Sequence, residues 1–264
     1  MDFEIKKYPR TKHIEGSRLQ KGDEDLRQIP FNKIKGKYIV IEEKVDGANT
    51  AISFDSEGNL LLQSRGHYLT GGYRERHYNL LKQWACIHKD TLYNVLGSRY
   101  IMYGEWLYAK HTVYYDSLPH YFLEFDIFDR EKEVFLDTDS RHKMLEGSGV
   151  ISVPVLAKGK YNSINDIIKY LGDSNYITDN HLDNLRNESI KLGLDPDRQI
   201  RETDNSKTME GLYLKVEEDG IVVDRMKYVR YTFLQNVEES ETHWLDRPIV
   251  PNKLDKDINK LLSK

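Results

Sequence analysis

The sequence predicts a mixed α+β domain built around antiparallel strands. β-branched and charged residues alternate along 37–44, and apolar runs at 51–54 and 60–63 flank an Asp-Ser-Glu-Gly-Asn turn. This pattern is typical of a strand followed by a β-hairpin. A second hairpin is predicted at 210–229 around Asp219-Gly220, the strongest short turn signal in the chain. Segments with helical periodicity lie between the two hairpins.

The region between the hairpins contains helices and further strands. Residues 74–96 are predicted to be helical in two pieces, because apolar residues recur there at helical spacing, at Leu80, Leu81, Trp84 and Ile87. Strands are predicted at 100–107 and 121–128. A helical insert is predicted at about 160–200, with helices at 163–171 and 178–192 that end at Gly172 and Gly193.

Composition indicates an ordinary globular protein. Of the 264 residues, 39% are hydrophobic and 31% are charged, and no apolar run approaches the roughly 20 residues of a membrane span. The first residues, Met-Asp-Phe-Glu-Ile-Lys-Lys, lack the apolar core of a signal peptide. A single cysteine, Cys86, excludes an internal disulfide and a cysteine-based zinc site. We therefore expect a cytoplasmic protein with no membrane partner.

The charge distribution is acidic overall but locally basic. The net charge is −4 and the pI is about 6.2, so bulk charge gives no argument for nucleic-acid binding. Cations nevertheless cluster in one short region, at Arg65, His67, Arg74, Arg76, His77 and Lys82. The cluster is either a solvated helical face or a local basic groove.

Lys44 lies at the end of the first predicted strand, in a Lys-x-Asp-Gly element that precedes a glycine turn. Enzymes that attach a nucleoside monophosphate to themselves use such an element. The amine must lose its proton near neutral pH, which a normal lysine, with a pKa of about 10.4, does only with help from burial or neighbouring cations. Alone, the element also fits a surface lysine before a β-turn.

Four further motifs follow Lys44 in order along the chain. They are Ser-Arg-Gly at 64–66, Tyr-Gly-Glu-Trp at 103–106, Phe-Asp at 125–126, and the hairpin formed by 210–215 and 225–230. With them the sequence resembles the covalent nucleotidyltransferases, which comprise ATP-dependent DNA and RNA ligases and mRNA capping enzymes. The stretches 103–111 and 209–217 make it most similar to the ATP-dependent RNA ligases. The resemblance runs over nearly the whole chain.

The resemblance implies a fold, a reaction and a cofactor. The fold is the nucleotidyltransferase fold, an α+β domain whose antiparallel sheets flank an ATP cleft. Lys44 would attack the α-phosphate of ATP to give a lysyl-N-AMP intermediate. AMP would then pass to a 5′-phosphate RNA end, from which a 3′-hydroxyl displaces it. The reaction gathers negative charge on a phosphoryl group, so Mg²⁺ or Mn²⁺ is expected as well.

The resemblance also assigns roles to individual side chains. ATP or AMP would be bound by residues from all five motifs, namely Glu43, Asn49, Arg65, Glu105, Phe125, Lys215 and Lys227. Phe125 would stack on adenine, although its alternation with apolar neighbours also fits a core position. The hydration shell of Mg²⁺ would be held by Asp46, Glu105 and Glu210. Asp126 and Arg230 match further family positions without a defined role.

One position departs from the family pattern. Many members end the last motif with two lysines separated by one residue, whereas here Lys227 is followed by Val229 and the nearest cation is Arg230. Either Arg230 makes the second phosphate contact or that contact is absent. The step concerned is the transfer of AMP to the nucleic-acid end.

The register of the second hairpin can be predicted from its turn. A two-residue turn at Asp219-Gly220 pairs residues whose numbers sum to 439, so Leu212 is expected to face Lys227. Glu210 and Lys227 would then lie diagonally on one face, about 7–8 Å apart.

The expected domain organisation is a nucleotidyltransferase domain at 1–247 and a short charged tail at 248–264, with no oligonucleotide-binding barrel. RNA with 5′-phosphate and 3′-hydroxyl ends would then be bound by local cations, for which the candidates are Arg74, Arg76, Lys82 and Lys110. An end-healing kinase or phosphatase is an expected partner, and RNA repair the expected process. The alternatives are an ATP-dependent DNA ligase, or a nucleotide-sensing or RNA-binding protein of the same fold without turnover.

Overall fold

The computed structural model describes residues 5–19, 28–233, 248–257 and 262. Within them, eleven strands form one continuous sheet, and the predicted α+β class is confirmed. The strands are β1 (Lys12–His13), β2 (Tyr38–Lys44), β3 (Ala48–Phe54), β4 (Leu60–Ser64), β5 (Tyr100–Trp106), β6 (Phe122–Asp129), β7 (Val134–Leu136), β8 (Ile151–Ser152), β9 (Val155–Lys160), β10 (Gly211–Glu218) and β11 (Ile221–Val229).

Short helices connect and cover these strands. They are α1 (Asn79–Ile87), α2 (Lys89–Leu96), α3 (Thr138–Leu145), α4 (Asn165–Ile168), α5 (His181–Lys191) and α6 (Pro196–Arg201), with 3₁₀ turns at Phe31–Lys33 and Tyr73–Tyr78. The predicted pair of helical pieces in 74–96 corresponds to α1 and α2. Among the described residues, no helix is long and apolar enough to span a membrane.

The sheet consists of two antiparallel halves joined by a short strand. Its order is β4-β3-β5-β6-β7-β11-β10-β2-β9, and the three-residue strand β7 links β6 to β11. β1 adds to β11 in parallel, with His13 opposite Lys227. The two halves therefore meet along only a short edge, and this arrangement leaves room for a cleft between them.

Alternation along β2, β10 and β11 separates an apolar face from a charged face. The apolar face packs into a buried cluster that contains Ile39, Ile41, Leu212, Leu214 and Met226. Burying each such side chain contributes about 1.5–3 kcal/mol to folding. The residues between them in sequence face the cleft and are mostly charged, namely Glu42, Lys44, Tyr213, Lys215, Arg225 and Lys227.

The helical insert differs in detail from its prediction. α4 is shorter than the helix predicted at 163–171, and α5 begins at His181 rather than at 178. Thr178 is held outside the helix because its backbone N–H and its hydroxyl both donate to the Asp116 carboxylate. α6 was missed by the sequence analysis, although Asp195 caps it by accepting from the N–H groups of Asp197 and Arg198.

Residues 248–257, at the start of the predicted tail, pack onto the domain. Asn252 is buried; its side chain donates to the Leu107 carbonyl at 2.7 Å and accepts from the Tyr115 N–H at 2.9 Å. Val250 is buried as well, and Leu254 bridges to Leu118. The part of the predicted domain at 234–247 and most of the predicted tail beyond 257 lie outside the described residues.

Gly211 provides a test of the close pairing between the β10 and β11 backbones. A Cβ atom there would lie 1.9 Å from the Tyr228 carbonyl oxygen, so the β10–β11 backbones would have to separate. We expect Gly211→Ala to lower the free energy of unfolding by about 1–3 kcal/mol or more, measured by urea denaturation. Gly172→Ala is the control, because a Cβ at Gly172 meets no atom within 4 Å. Equal stability of the two variants would contradict the close approach of β11 to Gly211.

Candidate active site

A cavity of about 650 Å³ lies between the two halves of the sheet. This volume is typical of small-molecule sites. It is lined by most of the predicted site residues, which come from five separate strands and their adjoining loops, namely Glu43, Lys44, Asp46, Asn49, Arg65, Glu105, Phe125, Glu210 and Lys227. The structure thus brings together residues that are up to 184 positions apart in the sequence.

Lys44 is the last residue of β2, and its position follows from strand pairing. It lies opposite Gly211 of β10, whose missing side chain lets the β11 backbone at Tyr228 approach closely. The Lys44 Nζ atom is 2.6 Å from Glu210 Oε2, and the lysine side chain is 21% exposed. The amine therefore projects into the cavity while remaining reachable from it.

The charge state of Lys44 is set by two opposing effects. Burial lowers the pKa of the amine, but the Glu210 and Glu105 carboxylates raise it by more, so the net pKa lies above its ordinary value. Burial also raises the pKa of Glu210. With the cavity as it stands, Lys44 is an ammonium ion paired with the Glu210 carboxylate.

Three carboxyl groups surround the Lys44 amine. Burial, together with repulsion from Glu210 and Asp46, raises the pKa of Glu105 to about 8 despite the opposing effect of Lys44. Glu105 also accepts from the Gly47 N–H at 3.2 Å. Asp46 accepts from the Thr112 and Val113 N–H groups at 2.8 and 2.9 Å, which holds the glycine turn against the loop after β5.

This excess of carboxyl groups fits a divalent cation held through water. Among the described residues, no group of three or more His, Cys, Asp or Glu side chains is arranged to coordinate a metal directly. Mg²⁺ does not require such a group, because it keeps several of its waters. Burial, and after it repulsion from Glu210 and Asp46, raises the pKa of Glu105 to about 8, and a nearby cation would oppose that shift. The predicted metal residues Asp46, Glu105 and Glu210 therefore suit an outer-shell role.

Aromatic rings form another part of the cavity wall. Phe125 and Tyr213 lie with ring centroids 6.4 Å apart, and Tyr8 packs edge-on against Phe125 at 5.1 Å. The Tyr8 hydroxyl donates to Asp126 and is 2.7 Å from the Tyr213 hydroxyl. Sequence reasoning missed Tyr8 and Tyr213. Tyr213 could have been found from its alternation with Lys215 on the cleft face, whereas no local signal marks Tyr8.

Lys215 and Asp126 lie beneath the cavity rather than on its wall. Both side chains are fully buried, and the Lys215 Nζ atom is 2.9 Å from Glu42 and 3.0 Å from Asp126. Lys215 also donates to the Phe125 carbonyl. Lys215, predicted among the ATP- or AMP-binding residues, thus holds Phe125 and the floor of the cavity in place.

Glu43 faces away from Lys44 and is bound by the helical insert. Its carboxylate accepts from the Ser174 hydroxyl and from the Asn175 amide at 3.2 Å. Burial raises the pKa of Glu43, and these two donors oppose the shift. Glu43 therefore joins the insert to the cavity wall.

A family model for RNA ligases matches residues 37–229, which include every residue of the cavity wall from Glu42 to Lys227. The chain belongs to the RNA ligase family. A search of curated proteins gives no match.

Solved RNA ligases from Naegleria gruberi share the fold of this family member. A mutant with ATP and Mn aligns with a TM-score of 0.56 and 17% identity, and a structure with PPi aligns with a TM-score of 0.51 and 16% identity. A mutant with AMP and Mn gives a TM-score of 0.55 and 16% identity. Each alignment covers 89% of this chain and 59% of the Naegleria chain, so this chain spans less than two thirds of those proteins.

The predicted register of the β10–β11 hairpin is wrong by one residue. A β-bulge between Val216 and Glu217 changes the pairing, so Tyr213 lies opposite Lys227 and Leu212 lies opposite Tyr228. The turn at Asp219-Gly220 is as predicted, but the extra residue in β11 shifts everything beyond it. Glu210 precedes the start of β10 and still reaches the cavity.

Arg230 does not replace the missing second lysine at the cavity. Its guanidinium pairs with Asp204 and donates to the Met209 carbonyl at 3.0 Å, which turns it toward the helical insert. On β11 itself, Arg225 lies two residues before Lys227 and shares its cleft face. Arg225 packs over the Phe135 ring at 3.9 Å and is 4.0 Å from Asp126.

Only some of the residues predicted to bind the nucleic acid are exposed. Arg74 is exposed and lines the cavity mouth. Arg76 stacks on a neighbouring tyrosine, and Lys82 is paired with Glu75 at 2.5 Å. Lys110 is buried and donates to the His111 and Glu202 carbonyls, so its predicted place on the path is wrong.

The raised pKa of Glu105 predicts a pH dependence of stability. The folded state holds this proton up to about pH 8, whereas the ordinary pKa is 4.5, so the contribution is fully present below 4.5 and is lost as the pH rises toward 8. We expect the difference in unfolding free energy between wild type and Glu105→Gln to change by up to about 4 kcal/mol over that window.

Chemical denaturation at pH 5, 6, 7 and 8 measures this difference. Glu57→Gln serves as the control, because Glu57 is exposed in a turn. A wild-type minus Glu105→Gln difference that stays constant with pH, or grows as the pH rises, would refute the assignment.

Proposed function

We propose that this chain is an ATP-dependent RNA ligase that joins 5′-phosphate and 3′-hydroxyl ends through a lysyl-N-AMP intermediate. The observation that carries the proposal is the Lys44 amine, held 2.6 Å from Glu210 inside a nucleotide-sized cavity that also contains Lys227 and Arg65. The ATP, AMP, PPi and Mn bound by the related Naegleria proteins support the same choice of substrates.

In the first step, Lys44 attacks the α-phosphorus of ATP. A nitrogen–phosphorus bond forms, the bond to pyrophosphate breaks, and the amine loses a proton. Glu210 is the residue placed to accept that proton, because it contacts the amine and burial raises its own pKa. Lys227 and Arg65 provide the cationic groups that stabilise the charge gathered on the phosphates.

A divalent cation, Mg²⁺ or Mn²⁺, would be held through water by Asp46, Glu105 and Glu210. When bound, it supplies positive charge that stabilises the phosphates and favours the neutral form of the nearby amine. The aromatic wall of Phe125 and Tyr213 suits a purine ring, since aromatic pairs prefer stacked arrangements. Asn49 lies opposite Glu105 on neighbouring strands and suits a contact to ribose.

The second and third steps seal the RNA. A 5′-phosphate oxygen attacks the lysyl phosphorus, which frees the Lys44 amine, and a 3′-hydroxyl then displaces AMP from the 5′-phosphorus. We place this activity in cytoplasmic RNA repair, with a separate kinase or phosphatase that prepares the ends. A DNA ligase and a nucleotide sensor without turnover are the alternatives that the following experiments distinguish.

The first experiment follows covalent adenylation. With labelled ATP and Mg²⁺ or Mn²⁺, the protein should gain one acid-labile, base-stable AMP, and Lys44→Ala should lose the adduct entirely, because the nucleophile must be held in line with the leaving group. Lys37→Ala, at the other end of the strand in a surface ion pair with Glu218, should keep it. Label on Lys44→Ala would sink the assignment, and label from GTP alone would indicate capping chemistry.

The second experiment distinguishes RNA from DNA. Proteins recognise RNA through A-form geometry and 2′-hydroxyl groups. A nick with ribonucleotides on its 3′-hydroxyl side should therefore be sealed at least about tenfold faster than an all-DNA nick, which corresponds to a difference of about 1.4 kcal/mol in the activation barrier. Equal rates would favour the DNA ligase, and adduct without sealing of either substrate would favour the sensor.

A further inference from the structure

Tyr73 is the most exposed of the large hydrophobic side chains described. It begins the 3₁₀ turn Tyr73–Tyr78, directly after Gly71 and Gly72, and its side chain is 80% exposed. The two glycines have φ angles of 122° and 121°, a conformation that side-chain-bearing residues rarely adopt. The backbone thus turns outward here and presents an aromatic ring to solvent.

Arg76 covers one face of that ring. Its guanidinium carbon lies 4.4 Å from the Tyr73 ring centroid, which is a cation–π contact. Since the tyrosine remains 80% exposed, the opposite face of the ring is open. The pair is therefore a flat, positively charged aromatic surface with one side available.

The turn that carries this pair is fixed to the protein. The Glu75 carboxylate accepts from the Gly71 N–H at 2.9 Å and from the Lys82 amine at 2.5 Å. The Trp106 ring nitrogen donates to the His77 carbonyl at 2.7 Å. Tyr73 is thus held at a defined place beside the mouth of the cavity.

The residues beside Tyr73 connect it to the active site. Arg74 follows it directly and lines the cavity mouth together with Arg65, and both arginines are exposed. Exposed arginines next to an aromatic ring suit a nucleic-acid strand, in which phosphates and bases alternate. A chain entering the cavity can place a phosphate on Arg65 and Arg74 and the adjoining base on Tyr73.

We propose, resting on the function given above, that the Tyr73–Arg76 pair stacks one unpaired base of the RNA next to the break. A base inside a continuous duplex is already stacked on both sides, so an open ring face accepts only a base that is unpaired or splayed out. The preferred substrate is then an RNA broken in a single-stranded region or loop, rather than a fully paired nick.

Binding tests this inference independently of catalysis. Lys44→Ala protein is titrated into two fluorescent RNAs, a stem-loop broken within its loop and a fully paired nicked duplex, and anisotropy gives the Kd. Adding Tyr73→Ala should weaken binding of the loop-broken RNA by about tenfold, since one base–aromatic stack contributes about 1–3 kcal/mol. Binding of the nicked duplex should change less than twofold.

Two matched variants complete the comparison. Tyr73→Phe keeps the ring and should bind the loop-broken RNA like the parent protein. Tyr38→Ala removes another exposed tyrosine at the far end of β2, about 20 Å along the strand from Lys44, and should also bind like the parent. Sealing rates of the same RNAs by the variants with Lys44 intact should follow the binding results.

Three results would overturn the proposal. Tyr73→Ala could bind the loop-broken RNA as tightly as the parent protein, it could weaken both RNAs by the same factor, or it could lose the AMP adduct in parallel with RNA binding. If wild type forms no adduct but Tyr73→Ala still weakens loop-broken RNA selectively, the proposed ligase activity fails and the stacking surface stands.

Discussion

A buried chain of charges holds the two halves of the sheet in register across the cleft. Arg141 of α3 pairs with Glu42 of β2 and with Glu124 of β6, while Lys215 of β10 pairs with Glu42 and with Asp126 of β6. All five side chains are fully buried. Because a buried charge left without its partner costs about 3–5 kcal/mol, neither half can shift without a large loss of stability. The geometry of the cavity above these buried ion pairs therefore depends on them.

The nucleophile is positioned by that constraint. Glu42 lies two residues before Lys44 on the same face of the same strand, so fixing Glu42 fixes the backbone from which Lys44 projects. Gly211 opposite Lys44 lets β11 pack closely against β10, and the Glu210 carboxylate pairs with the Lys44 amine. A rigid floor thus supports a reactive group whose protonation state depends on a few neighbouring carboxylates, and those can respond to an incoming ligand without movement of the sheet.

The sequence was informative where one strand or one turn decides the outcome. Alternation predicted β2 and both strands of the second hairpin, and the ordered motifs indicated Lys44 and Glu210 as members of one site although 166 residues separate them. Prediction from sequence failed where residues distant in the sequence determine the structure. The bulge at Val216 is a single extra residue with no local signal, and the burial of Lys215 and Lys110 depends on acceptors from other elements.

The buried Asn252 changes what counts as the folding unit of this family member. The family match covers 37–229 and the last motif ends at Arg230, yet Asn252 holds the backbone at 107 and 115, and Tyr8 packs against Phe125 in the aromatic wall. A fragment trimmed to the motif-bearing region would retain every residue of the reaction while losing both of these braces. Sequence similarity locates the residues of the proposed reaction. The contacts of Tyr8 and Asn252 show that segments outside the matched region also hold those residues in place.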